Sequence, residues 1–331
     1  MKRRWTALAG MLALLLLAGA LAHFAGSSPG KSADGFLAES TADPMAESTE
    51  GSFVGSSAGS SDGLTVHYLD VGKCNCVLVK SADGRFMMID AGSNGEDETR
   101  EILEYLEDQG VETLDYLLIT HPHKDHIRAA EAVLETFPAE TVLMGDFEEE
   151  TVGTKTFSGF LDFLEKSGQR VSVPEPGDVY PLGKGASFTI LVQDDSAETA
   201  EEELNDCSTG LILEDEYQRF LFYGDGKEKA EEALQNSRYD LKSDVMMVAH
   251  HGGKGSTKKK MLEAVNPRIA VISCGLDDEG EMREPSDKVL ERLEEAGVSV
   301  YRTDRDGTVV ISGGSDGLTV RTKEQSARPG R

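Results

Sequence analysis

Basic residues are scarce in this sequence: 33 Lys and Arg stand against 60 Asp and Glu, a formal charge of −27. That balance favours solubility and repels nucleic-acid phosphates and anionic lipid at long range, so a polyanionic substrate needs a metal or a local basic patch to approach. Cysteine is sparse as well. Cys74, Cys76, Cys207 and Cys274 are too few and too scattered for a disulfide scaffold, although an even number permits bridges in an exported protein. Cys74 and Cys76 lie two apart on a predicted strand and share a face; they could bind a soft metal, and small buried side chains are the plainer reading. Aromatic residues make up 6% of the chain, and no segment recurs at a fixed period. Beyond the first 25 residues there is no long apolar run, which excludes a multi-span channel.

What is present begins with a leader. MKRRW supplies positive charge, and ALAGMLALLLLAGALA follows as an uncharged apolar run ending in small residues. This is the pattern of a secretory signal peptide with cleavage near Ala20 or Ala22, and the run from Trp5 to Ala22 is also long enough to stay as an N-terminal membrane anchor. The expected location is therefore extracellular, or anchored to the outer face of the cytoplasmic membrane. No cysteine follows the run, which argues against lipid attachment there. Residues 26–62 are Ser, Gly, Ala, Asp and Glu with almost no large apolar side chain, a disordered linker by composition. Residues 63–315 form the predicted folded domain, and 316–331 a C-terminal tail.

Within the domain, LTVHYLDV, CNCVLVK and RFMMIDAG read as an antiparallel meander of three strands. EDETREILEYLEDQG carries Ile102, Leu103, Tyr105 and Leu106 on a helical stripe that closes at Gly110, and the buried-type strand LDYLLIT follows. A helix from about His126 to Thr136, the strand TVLM and a helix around FSGFLDFLEK continue the alternation. Later strands are SFTILV, TGLILE, RFLFYGD, DVMMVAH, IAVISCG, VSVYRT and GTVVIS, with a helix at DKVLERLEEAG. The order predicts an α/β domain with mixed sheets covered by helices.

THPHKDHI, residues 120–127, gathers three of the chain's seven histidines and one aspartate. His121 and His123 stand two apart past a strand end, where extended geometry sends both imidazoles to one side; Asp125 and His126 follow where the chain turns into a helix. Two imidazole pairs can thus face two neighbouring metals, and neutral imidazole beside carboxylate suits zinc, manganese or iron. Asp225 follows another apolar strand, and His250 and His251 a third. A carboxylate there can bridge two metals and a histidine complete the second, so three distant segments supply one constellation. Two divalent ions (Zn or Mn) are the expected cofactors. His23, in the leader, and His67, in the first strand, stand apart from this set.

These segments resemble the metallo-β-lactamase superfamily, and within it the nuclease-like domain of ComEC-type competence proteins. HYLDVGKCNC, MMIDAG, THPHKDHI, NDCSTGLIL, FLFYGD, VAHHGGKGS, ISCG and VLERLEEAGVSVYRTDRDGTVVI carry the likeness from Leu64 to Ser312. The resemblance implies an αβ/βα four-layer sandwich with a binuclear metal site at the sheets' edges. It implies that His121 and His123 bind the first metal, Asp125 and His126 the second, that Asp225 bridges, and that His250 completes the second. His251 would orient a ligand or phosphate and, with Asp125, is the expected catalytic residue; Asp90 is the supporting aspartate.

The sequence also departs from the family pattern. Residues 127–249 contain no histidine where many members have one, so Asn205, Asp206 or Ser208 is expected to fill that position, and an oxygen-rich first site favours manganese or magnesium. The usual Gly-Gln-Gly-Asp turn is Gly72-Lys73-Cys74-Asn75, and a histidine expected before a proline is Glu284. The expected function is an exported metal-dependent hydrolase, a phosphodiesterase or DNase; a hydrolase of another small ester or amide, and a noncatalytic envelope binding module, are the alternatives. DNA or another phosphodiester is the expected partner; no protein partner follows from the sequence. Lys254, Ser256 and Thr257 after the HHG turn are expected to hold a phosphate on backbone amides at a helix start, beside the basic run Lys258, Lys259 and Lys260. An ordinary helix cap is the other reading of that stretch.

Overall fold

The computed structural model describes residues 62–192 and 201–323. The predicted leader, nearly all of the linker and the last eight residues lie outside them. The strands are β1 (Thr65–Tyr68), β2 (Cys76–Lys80), β3 (Phe86–Ala91), β4 (Leu114–Ile119), β5 (Ala139–Met144), β6 (Val171–Ser172), β7 (Val179–Pro181), β8 (Ser187–Val192), β9 (Gly210–Glu214), β10 (Arg219–Phe222), β11 (Val245–Met247), β12 (Ile269–Ile272), β13 (Ser299–Arg302), β14 (Val309–Gly314) and β15 (Gly317–Thr322). The helices are α1 (Glu96–Asp108), α2 (Lys124–Ile127), α3 (Ala130–Thr136), α4 (Glu149–Val152), α5 (Lys155–Ser167), α6 (Glu228–Asn236), α7 (Lys259–Val265), α8 (Asp287–Glu295) and α9 (Thr303–Asp306).

Two sheets result, one ordered β15-β14-β1-β2-β3-β4-β5-β6 and the other β13-β12-β11-β10-β9-β8-β7. In the first, β1, β2 and β3 pair antiparallel as predicted, and β4, β5 and β6 then add in parallel. The second follows the same plan: β8, β9 and β10 are antiparallel, and β11, β12 and β13 add in parallel. The chain thus builds one topology twice.

Period-two patterning decides which side chains meet between the sheets. Val66, Tyr68, Val77, Val79, Met87 and Ile89 from the first sheet join Phe188, Ile190, Leu211, Leu213, Phe220 and Phe222 from the second in one buried cluster. The alternate residues Ile212, Leu221, Met246 and Ile272 face outward, where Leu234 of α6, Met261 of α7 and Val289 of α8 cover them. With α1, α3 and α5 associated with the first sheet, the layers run αβ/βα, the four-layer sandwich.

Two predicted boundaries change. The helix expected over 126–136 is broken into α2 and α3, because its hydrogen-bonding groups are diverted: the Asp125 carbonyl accepts from Asn75 N (2.9 Å), and Ala129 N donates to Ala91 O (2.8 Å). Part of the expected tail is β15, paired with β14 from Val309↔Thr322 to Gly314↔Gly317. Its Leu318 and Val320 pack against the central core, which supplies the apolar contact that a solvated tail lacks.

Candidate metal centre

The duplicated topology places chemistry at equivalent points. Asp90 is the penultimate residue of β3 and the histidine-rich turn follows β4; Asp225 follows β10 and the His250-His251 turn follows β11. Asp90, His250 and His251 all hold positive φ (58°, 54° and 54°), a left-handed backbone that costs a non-glycine residue of order 1–3 kcal/mol and clusters at functional sites. The two halves are joined here by Thr209 N donating to Thr120 O (2.9 Å), and within the second half His250 N donates to Gly224 O (3.3 Å).

Ligand-type atoms of Asp125, His126, Asp225 and His251 lie within 4.8 Å of one another. His126 Nε2 is 3.3 Å from Asp225 Oδ1, and His251 Nε2 is 3.4 Å from Asp125 Oδ2 and 3.6 Å from Asp225 Oδ2. Each imidazole is held from behind. His126 Nδ1 lies 2.7 Å from Asp90 Oδ2, and His251 Nδ1 donates to Ser273 O at 2.9 Å, which leaves Nε2 of each ring free toward the cluster. Asp90 is itself fixed by Thr120, whose N–H (2.7 Å) and hydroxyl (2.8 Å and 3.0 Å) reach its two oxygens.

His126 Nε2, His251 Nε2 and Asp225 Oδ1 are buried without a hydrogen-bond partner. Inside a protein such atoms are costly unless something fills the space between them. The electrostatics agree. Burial opposes charge on His126, yet the Asp90 and Asp225 carboxylates outweigh it and hold that imidazole well above its ordinary pKa. Burial is likewise outweighed at His251, which Asp225 and then Asp125 raise, and at Asp225, which His251 and His126 hold well below the usual carboxylate range. The carboxylates therefore draw positive charge into the cluster, and the donor set of two imidazoles and two carboxylates fits a divalent cation.

His121 and His123 stand beside it, with His121 Nε2 3.1 Å from His123 Nδ1 and 4.0 Å from Asp225 Oδ2. Burial, then the neighbouring His126, keeps His121 well below its ordinary pKa, a neutral ring able to ligate. Of the three candidates for the missing histidine, Asn205 is the one that comes here: its side chain stands beside His123, and its buried Oδ1 is without a hydrogen-bond partner. Ser208 instead braces Asp225, accepting from its N–H at 3.0 Å and donating to Asn205 O at 2.7 Å. Asp206 is directed to the start of α6, where its Oδ1 accepts from Lys227 N and Ala230 N.

Two expectations are corrected. His250 and His251 sit the other way round from the resemblance: His251 is fully buried among the ligand atoms, while His250, 23% exposed, has its Nε2 4.0 Å from Asp225. The phosphate site after the HHG turn is closed, because the carboxylate of Glu231 already accepts from Thr257 N and Lys258 N. Ser256 Oγ is buried and donates to Ala249 O and Gly253 O, and Arg292 binds the carbonyls of Ser256 and Thr257. Lys254 is exposed beside this loop, whose carbonyl Arg292 also approaches at 3.5 Å. Sequence reasoning missed Thr120, Ser273 and Glu231. Thr120 was within the motif; the other two become neighbours of the site only through the fold.

All four cysteines are buried, and none is in a disulfide among the described residues. Outside the centre, His67 Nδ1 meets the Tyr105 hydroxyl at 2.7 Å.

The sequence profile described as "Metallo-beta-lactamase superfamily" matches residues 69–276. ComE operon protein 3 of Bacillus subtilis (strain 168) is 29% identical over 209 residues, 63% of this chain and 26% of that protein. Recombination protein 2 of Haemophilus influenzae is 27% identical over 267 residues, 80% of this chain and 31% of that protein, so the chain spans about a quarter to a third of these relatives. CmlA, a diiron beta-hydroxylase from Streptomyces venezuelae, superposes with a TM-score of 0.51 at 15% identity, covering 76% of this chain and 54% of that one, a likeness of fold alone. Competence protein ComA of Neisseria gonorrhoeae is 26% identical over 251 residues, 75% of this chain and 32% of that protein. With the profile matched across both sheets, the chain belongs to the metallo-β-lactamase superfamily.

Proposed function

We propose that the chain is an exported metal-dependent phosphodiesterase that cuts DNA. The observation that carries the hydrolase reading is the set of buried, unpartnered atoms of His126, His251 and Asp225 in one cluster with Asp125. The DNA reading is supported by relatives named for competence and recombination. Asp125, His126 and His251 would hold one ion, His121, His123 and Asn205 the other, and Asp225 both. Two bound divalent ions supply Lewis acidity toward a phosphoryl oxygen and a hydrolytic water deprotonated near neutral pH. The chain's own part is to fix the donors. Asp90 and Ser273 aim the Nε2 atoms of His126 and His251. His123, Asp125 and His250 are the partly exposed members and form the side open to substrate, so His250 takes the substrate-facing role. The oxygen donors Asn205 and Asp225 favour manganese over zinc at the first position. Export rests on the leader, which lies outside the described residues; among those described, no helix is long and apolar enough to cross a membrane.

The test is incubation of the purified full chain with linear single- and double-stranded DNA, in manganese and then in zinc. Cutting that His123→Ala removes is the expected result. Hydrolysis of small carboxylic esters with no cutting of either DNA would overturn the phosphodiester reading.

A further inference from the structure

Lys73 and Glu284, each in a segment where the sequence departs from the family pattern, are 211 residues apart and touch. Lys73 Nζ lies 3.4 Å from Glu284 Oε2, with each side chain 20% exposed. The contact joins two loops whose backbones are already seamed: Lys73 N donates to Leu276 O at 3.1 Å, and Asn94 Nδ2 donates to the same carbonyl at 2.6 Å. A Cβ on Gly275 would stand 2.7 Å from Gly72 Cα, so the loops meet backbone to backbone. Glu284 is equally tied to the metal centre. Ser286 N donates to Gly252 O at 3.0 Å, and Pro285 packs on Gly252, the residue after His251. The pair therefore stands at the His250 side of the centre, the side that is open. After burial and the neighbouring His251, the charges of Lys227 and Lys73 are among those that keep His250 below its ordinary pKa.

The pairing is incomplete in a way that leaves capacity for a third group. Glu284 Oε2 is buried without a hydrogen bond, and the Lys73 ammonium makes none among the described residues. An ammonium with three donors and one off-axis contact can bind an anionic oxygen without giving up its partner. Glu284 also has a positioning use. By pairing with the ammonium it holds Lys73 in one place between the two loops.

We propose that Lys73, held at the mouth of the metal centre by Glu284, is a specificity-determining residue that binds an anionic phosphoryl oxygen of the substrate and so favours phosphodiesters over neutral esters. This rests on the phosphodiesterase reading above. Glu284 is the positioning residue for Lys73. In a chain of charge −27, the device supplies at the reaction site the positive charge that the surface lacks.

The experiment compares metal-loaded full chain, Lys73→Met, Glu284→Gln and the double variant on bis(p-nitrophenyl) phosphate and on neutral p-nitrophenyl acetate, with inorganic phosphate binding measured by calorimetry. Lys73→Met is expected to raise KM for the diester about tenfold, the size of one charge-assisted hydrogen bond, with little change in kcat, in KM for the acetate or in metal content. Glu284→Gln raises diester KM in the Lys73 background and has no effect when Met occupies position 73. Equal changes on both substrates, or additive effects of the two variants, would overturn the proposal. Phosphate affinity separates it from the reading it rests on: weaker phosphate binding by Lys73→Met in a chain that cuts no diester would retain the anion site and reject the phosphodiesterase, and unchanged phosphate binding would reject the anion site.

Discussion

Asp90 and Glu231 show how single side chains outside the ligand set govern the centre. Asp90 holds His126 Nδ1 at 2.7 Å and is itself held by Thr120. Asp90→Ala is therefore expected to weaken metal binding by about 10- to 100-fold with every ligand still present, read by competition with a chromophoric chelator. Unchanged affinity would remove Asp90 from the account. Glu231 on α6 closes the loop after His251, and burial pushes it up to about 7 from an ordinary 4.5, against the hydrogen bonds from Lys258 and Thr257. Its folded-state pKa lies above the unfolded one, so its stabilising contribution is fully present below about pH 4.5 and is lost as pH rises through about 7. Glu231→Gln keeps an acceptor for Thr257 N and cannot titrate; the fall in Tm across that window should shrink relative to wild type, and parallel profiles would contradict the assignment. Legibility follows the same division. His121, His123, Asp125 and His126 could be read because they are covalent neighbours on one turn. Ser273, which orients His251 through a backbone carbonyl, carries no sign of that role in its own identity. The exchange of His250 and His251 was illegible too, since two adjacent left-handed residues decide it, and periodic patterns assume a regular backbone.

At the level of elements, the sequence showed most strands, because period-two apolar patterning survives in each. It hid what depends on pairing. β15 reads Gly-Leu-Thr-Val-Arg-Thr, a modest alternation in a glycine-rich context, and is a strand because β14 offers it an edge. The broken helix after His123 is the most consequential case. Its groups are taken by Asn75 and Ala91, which fixes the Asp125-His126 turn against β2 and β3. Gly92 makes that approach possible: a Cβ there would overlap the Asp125 carbonyl. Gly92→Ala is predicted to lose about 1–3 kcal/mol of stability to the forced shift and to lower metal occupancy with it, measured by denaturant unfolding and metal analysis on one preparation. Wild-type stability and metal content in that variant would show that the turn does not depend on the close approach.

Across the whole molecule, two halves of like topology meet at their strand ends, the first supplying Asp90 and the 121–126 ligands, the second Asp225, His250 and His251. No residue-level repeat announces this, since strand order and pairing sense recur while side chains do not. Asp225 lies within 4.0 Å of His121, His126, His250 and His251, so it joins the contributions of both halves, and its replacement tests the centre as a unit. The decisive measurement is metal stoichiometry by mass spectrometry together with turnover of bis(p-nitrophenyl) phosphate, on full chain and on Asp225→Ala checked for folding by circular dichroism. The account predicts two ions per chain and turnover in the wild type, and at most one ion and no turnover in the folded variant. Two ions and undiminished turnover in Asp225→Ala would contradict it.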